Sequence, residues 1–187
     1  MWRVVLYISP LTVTAFITTV AALTWLAARA ADRHGTRAVR PVAQVLTLSW
    51  GLLVAGATLM PTQPPGTGDR TVWWIPGEGL WTSGANMLFA GEAEMIVRLQ
   101  IANAAMFVPL AALTMFCLHR PHIVRATALS AAGSLLIEAL QYAMAAGRVV
   151  DIDDLLLNTL GALIGASTAH LCLATRPHFH RSGTHRV

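Results

Sequence analysis

IVRATALSAAGSLLIEALQYAMAA, residues 123–146, is apolar along almost its whole length and is interrupted on one side only. As an α-helix it would rise about 36 Å, enough to cross a hydrocarbon core of ~30 Å. Ser130, Ser134, Glu138, Gln141 and Ala145 follow at i, i+4, i+8, i+11 and i+15. At ~100° per residue they share a sector of about 80°. Such a helix is a membrane span with one face turned towards protein or water. Leaving an ionisable group such as Glu138 in lipid costs at least ~2.5–3.5 kcal/mol, so its carboxyl requires a partner or a proton. Arg148, ten residues on and about 15 Å along the axis, is one candidate partner. A neutral carboxyl bonded to Asn158 or Asn103 is the other.

Four more apolar stretches flank this one, from about Val4 to Ala28, Val42 to Met60, Ile96 to Leu118 and Asp154 to Ala174. They recur in a chain of 187 residues that is 55% hydrophobic and 12% charged, with a mean hydropathy of +0.57. That content exceeds what a soluble domain of this size hides. The expected fold is all-α, a polytopic integral membrane protein of about five transmembrane helices. Pro41 and Pro61 bracket the second span, Pro121 separates the third from the fourth, and Pro177 follows the fifth, where a missing N–H does little harm. Pro109 lies inside the third and frees the carbonyl of Ala105, which a neighbouring helix must satisfy. A cleaved leader is the rival reading of the N-terminus, given Ala27, Ala28 and Ala30. The run is longer than a signal core, however, and its positive charge follows rather than precedes it.

The charges sort by loop. All 13 basic residues are Arg. Nine of them (Arg29, Arg33, Arg37, Arg40, Arg120, Arg125, Arg176, Arg181 and Arg186) fall on one side, and four (Arg3, Arg70, Arg98 and Arg148) on the other. The positive-inside rule places the nine in the cytoplasm, with the N-terminus outside and the C-terminus inside. Asp69, Glu78, Glu92, Glu94, Asp151, Asp153 and Asp154 then lie outside and Asp32 inside. No basic stripe with interleaved aromatics exists to track phosphates, which excludes nucleic-acid binding. Cys117 and Cys172 fall near cytoplasmic helix ends and read as free packing residues. The His119/His122 and His178/His180 pairs have spacings that are not specific for a metal site, and no metal or cofactor is expected.

Residues 1–98 thus comprise two spans and a long outer connection, 99–174 a three-helix region, and 175–187 a basic tail. The connection, from Pro61 to about Met95, contains Trp73, Trp74, Ile75 and Trp81. These either sit at the membrane interface or form a lid over an outer pocket. Three helices carry one special face each: the polar stripe above, Asn103 with Phe107 and Leu110, and Asp154 with Asn158, Gly161 and Gly165. Glu138 should sit roughly 13 Å below the outer surface, beneath the turn that holds Arg148, Asp151, Asp153 and Asp154. Asp153 is expected to N-cap the fifth helix, with Asp154 in its first turn. Gly161 and Gly165 form G-x-x-x-G, a close-packing face within one chain or between two copies.

The stretch RVVDIDDLLLNTLG (Arg148–Gly161), with Gly165, resembles the signature of the VanZ-like membrane proteins. Ser134, Glu138 and Gln141 resemble that family's S-x-x-x-E-x-x-Q helix, and Asn103, Phe107, Pro109 and Leu110 its N-x-x-x-F-x-P-L-G segment. The elements occur in the family's order across about Leu99 to Ala174. Ala111 stands where Gly is common and Val150 where an aromatic is frequent, and neither change removes a polar group. The resemblance implies a bacterial plasma-membrane protein associated with resistance to teicoplanin, a lipid-bearing glycopeptide. Some relatives carry the enzyme label phosphotransbutyrylase, which needs a phosphate-cradling loop that this chain lacks. The favoured reading is a non-catalytic protein whose outer-leaflet pocket engages a lipid-linked cell-wall precursor or a lipoglycopeptide. Its constellation is Asn103, Ser134, Glu138, Gln141, Arg148, Asp151, Asp153, Asp154 and Asn158, with membrane lipid as its surroundings. An intramembrane enzyme with Glu138 as acid or base, and a proton-coupled transporter component, are the alternatives.

Overall fold

The computed structural model describes residues 10–61, 63–79, 90–147 and 149–175. The start of the first expected span, Trp81, Arg148 and the basic tail lie outside these residues. Five helices account for most of the described chain: α1 (Pro10–His34), α2 (Thr36–Leu59), α3 (Ala90–Cys117), α4 (Ile123–Met144) and α5 (Ile152–Ala174). Each contains a stretch long and apolar enough to cross a membrane. Two short strands, β1 (Val72–Trp73) and β2 (Val150–Asp151), pair in parallel with Val72 opposite Val150 and Trp73 opposite Asp151.

Side-chain size is distributed inside out relative to a water-soluble fold. The buried cluster is rich in small residues, with Ala28, Ala43, Ala111, Ala112, Ala126, Ala162, Ala166 and Ala169 packed around Phe107, Met115 and Phe116. Large aliphatics point outward, Leu52 being 74% and Leu48 69% exposed. A water-facing surface would not carry such a girdle, whereas lipid tails solvate it at no cost. The chain is a multi-pass membrane protein.

Small residues also set the tightest seam, between α3 and α5, the pair with the largest shared interface. A Cβ on Gly161 would lie 2.0 Å from the Ala104 carbonyl oxygen, and one on Gly165 1.9 Å from that of Val108. The G-x-x-x-G face therefore packs inside the chain, against the backbone of α3.

Several boundaries differ from the sequence expectation. The α1–α2 connection is a single residue, Gly35, at φ +82°, a conformation that favours glycine. Helix α2 therefore begins at Thr36 and Pro41 sits inside it rather than opening it. The polar turn Thr36–Arg40 extends the helix beyond its apolar run, because helical hydrogen bonding does not stop where hydrophobicity does. For the same reason α3 begins at Ala90, ahead of the apolar run. Pro61 does end α2, leaving Met60 extended at φ −62°, ψ 117°. Pro109 lies inside α3 as expected. The indole of Trp50 on α2 donates to the Met106 carbonyl at 2.8 Å, one residue beyond the carbonyl that Pro109 frees.

Candidate functional site

The end of the bundle that carries Asp69, Glu78, Glu94 and the α4–α5 turn is its acidic end, and the described members of the expected constellation collect there. On α4, Ser130, Ser134, Glu138 and Gln141 are all buried, as their spacing requires. Asn158 on α5 donates to Ser134 Oγ at 2.9 Å and Asn103 on α3 donates to Asp154 Oδ1 at 2.9 Å, so the three special faces meet. Gln141 donates to the Thr58 carbonyl at 2.9 Å. That carbonyl is in the last turn of α2, where the helix supplies no N–H, so Gln141 acts as a side-chain cap on a neighbouring helix.

The three aspartates divide their roles. Asp151, not Asp153, is the N-cap of α5, its Oδ1 accepting the Asp153 amide at 2.9 Å. The helix starts at Ile152 because the aspartate two residues before Asp153 is the one with an extended backbone, φ −125° and ψ 126°. Asp153 Oδ2 accepts from the Gly77 amide at 2.8 Å and from Gln100 at 3.3 Å, tying the α2–α3 connection and α3 to the start of α5. Asp154 faces Asn103. The three carboxylates are committed in different directions, and among the described residues no three His, Cys, Asp or Glu side chains converge as a metal site would require. Burial raises the Asp151 carboxyl above its ordinary value. The Asp153 amide opposes that rise, and the charges of Asp153, Asp154 and Glu78 add to it.

A strap over the end of α4 completes the site. The amides of Gln63, Gly66 and Gly68 donate to the carbonyls of Ala146, Met144 and Ala145 at 3.1, 2.9 and 2.8 Å. These acceptors have no helical partners, and in a membrane protein an unmet carbonyl costs several kcal/mol, on the order of a lost hydrogen bond. Gly68 lies so near Gly147 that a Cβ would stand 2.1 Å from its amide nitrogen. The strap then pairs β1 with β2 and lays Trp73 on Gly79.

Beneath β1 a cavity of about 390 Å³ opens between α4 and α5. Trp73, Trp74, Leu135, Ala139, Tyr142 and Leu155 form apolar walls, and Glu138 and Asp151 supply carboxyls. Glu138 is 6% exposed. Trp73 and Trp74 thus roof a pocket. Asn158 is not among the lining residues. Its Oδ1 and the hydroxyls of Thr127 and Ser130 are buried without a protein partner.

Sequence reasoning missed Gln100, Thr58 and Tyr142. Gln100 was detectable, since it precedes Asn103 by one turn on the same face of α3. Thr58 contributes a backbone carbonyl and Tyr142 a cavity wall, and neither role has a pattern in the sequence.

Five apolar helices around a buried polar seam at one end define a polytopic helical membrane protein with a lateral, strap-roofed pocket. The chain belongs to the VanZ/LLP1 family, whose profile matches residues 16–173. The match extends beyond the three-helix region to α1, α2 and the strap. No curated protein and no solved structure matches the chain.

Proposed function

We propose that this chain is a non-catalytic cell-envelope protein of the bacterial plasma membrane, and that its acidic-end pocket engages a lipid-linked ligand. By doing so it lowers susceptibility to teicoplanin-type lipoglycopeptides. The acidic end faces outward in this reading, with the N-terminus outside and the C-terminus inside, as the arginine distribution requires.

The observation that carries the reading is the cavity itself. Its volume of about 390 Å³ falls in the usual range for small-ligand sites. Its walls suit an alkyl or polyprenyl chain, and its two carboxyls suit a polar group at one end. A lipid or lipoglycopeptide has both parts, and a lateral opening between α4 and α5 lets it enter from the leaflet. Nothing in this reading needs a nucleophile.

The test is drug susceptibility in a sensitive Gram-positive host expressing wild type, Glu138→Gln or Ala139→Phe at matched membrane levels, with vancomycin as the comparison that lacks a lipid. Selective protection against teicoplanin by wild type, lost in both variants, is the expected result. Equal responses to the two drugs, or full protection by Ala139→Phe, would overturn it.

A further inference from the structure

We propose that the cavity selects an aminophospholipid of the phosphatidylethanolamine type, with an acyl chain along α4 and the primary ammonium between Glu138 and Asp151. This rests on the lipid-pocket reading above and specifies the head group.

Three features point the same way. Leu135 and Ala139 are exposed on α4 and line the cavity, offering an acyl chain a continuous apolar path from the leaflet. Glu138 and Asp151, 6% and 9% exposed, bring carboxyls to the same cavity. Both are hydrogen-bond acceptors when ionised, and they match a group with three N–H donors and a positive charge. Burial is the main influence that disfavours the ionised form of Asp151; the Asp153 amide opposes it, and the charges of Asp153 and Asp154 on α5 and of Glu78 in the strap add repulsion. A cation there relieves that repulsion, whereas a bare phosphate would add to it.

Among the described residues, a positive charge stands at the edge of the cavity. The Arg70 guanidinium lies over the ring of Tyr142, 5.8 Å from its centroid. Phosphatidylethanolamine carries a phosphate for Arg70 as well as an ammonium for Glu138 and Asp151. Phosphatidylglycerol supplies a phosphate and neutral hydroxyls but no cation. Phosphatidylcholine supplies charge without N–H donors.

The experiment uses the full chain in nanodiscs of equal phosphatidylethanolamine, phosphatidylcholine and phosphatidylglycerol, extracted into mild detergent, with retained lipid quantified by mass spectrometry. Wild type should retain phosphatidylethanolamine over either other lipid by about tenfold, the scale of one charge-assisted hydrogen bond. Glu138→Gln and Asp151→Asn should bring the ratio towards one. Ala139→Phe and Leu135→Trp, which fill the groove from exposed positions, should reduce retention of all three, with helicity by circular dichroism as the folding control. If wild type retains phosphatidylglycerol or phosphatidylcholine as well as phosphatidylethanolamine and the filling variants still empty the groove, the ammonium inference fails while the lipid pocket stands. If neither filling variant changes retention, both fail.

Discussion

Replacing Gly161 or Gly165 by alanine should be among the most destabilising single-methyl additions in this protein. The new Cβ would stand 2.0 Å from the Ala104 carbonyl oxygen in the first case and 1.9 Å from that of Val108 in the second. Both obstacles are backbone, so neither can rotate away. Each approach is about 1 Å inside tolerable contact, and α5 must move off α3 by that much. A radial gap of 0.5–1 Å forfeits roughly a quarter to a half of each dispersion contact it opens. The loss extends along the seam where Ala162, Ala166 and Ala169 meet Phe107, Ala111 and Met115. We expect a cost of about 2–3 kcal/mol for each substitution. The double variant should cost less than the sum, since the first methyl has already separated the helices. The assay is reversible unfolding in mixed micelles followed by circular dichroism. Gly56→Ala and Gly133→Ala are the controls, because a Cβ at either position meets nothing within 4 Å. They should be neutral or stabilising by up to about 1 kcal/mol. If Gly161→Ala and Gly165→Ala unfold with the controls, the close seam between α3 and α5 is refuted.

Other substitutions separate the buried polar groups by what they hold. Ser130→Ala should be neutral or slightly stabilising, because its hydroxyl is buried without a partner, while Ser134→Ala should cost about 1–3 kcal/mol by stranding the Asn158 amide. The same unfolding assay gives the order, and equal effects would contradict it. Gln141→Ala should cost about 1–3 kcal/mol, because the Thr58 carbonyl loses its donor; a hydrogen-exchange measurement should show the last turn of α2 fraying first. Asp151→Ala should cost about 0.5–2 kcal/mol through the lost cap, whereas Asp151→Asn can still accept from Asp153 and should cost less. The pH dependence has a definite sign. The folded-state pKa of Asp151 lies above 3.8, so over the window from 3.8 up to that raised value the folded chain keeps a proton the unfolded chain has released. Stability contributed by this group is therefore full below 3.8 and falls as pH rises through the window. A pH titration of wild-type stability against Asp151→Asn isolates that slope, and identical slopes would show that Asp151 does not cause it.

The chain by itself determined its five crossings, because bilayer thickness sets a length that apolar runs must meet whatever they pack against. The polar stripe of α4 was equally legible, since 3.6-residue periodicity alone puts Ser130, Ser134, Glu138 and Gln141 on one face and lipid forbids that face to point outward. The Asp-rich turn and the G-x-x-x-G face were visible as local patterns, and so was the family they resemble. Partners were not visible. Whether Gly161 and Gly165 meet α3 or a second copy depends on how α5 is rotated and placed in the bundle, which no property of α5 alone encodes. The same holds for Gln141 capping α2 across 83 residues, and for Asp151 rather than Asp153 taking the cap, a choice made by the extended backbone that β1 pairs with. The cavity is the clearest case. Its roof comes from residues 72–74 and its walls and carboxyls from residues 135–155. What joins them is a strap whose amides seek the orphan carbonyls at the end of α4. Backbone donors and acceptors are the same in every residue, so their pairing leaves no signature in the sequence and only the tertiary structure decides it.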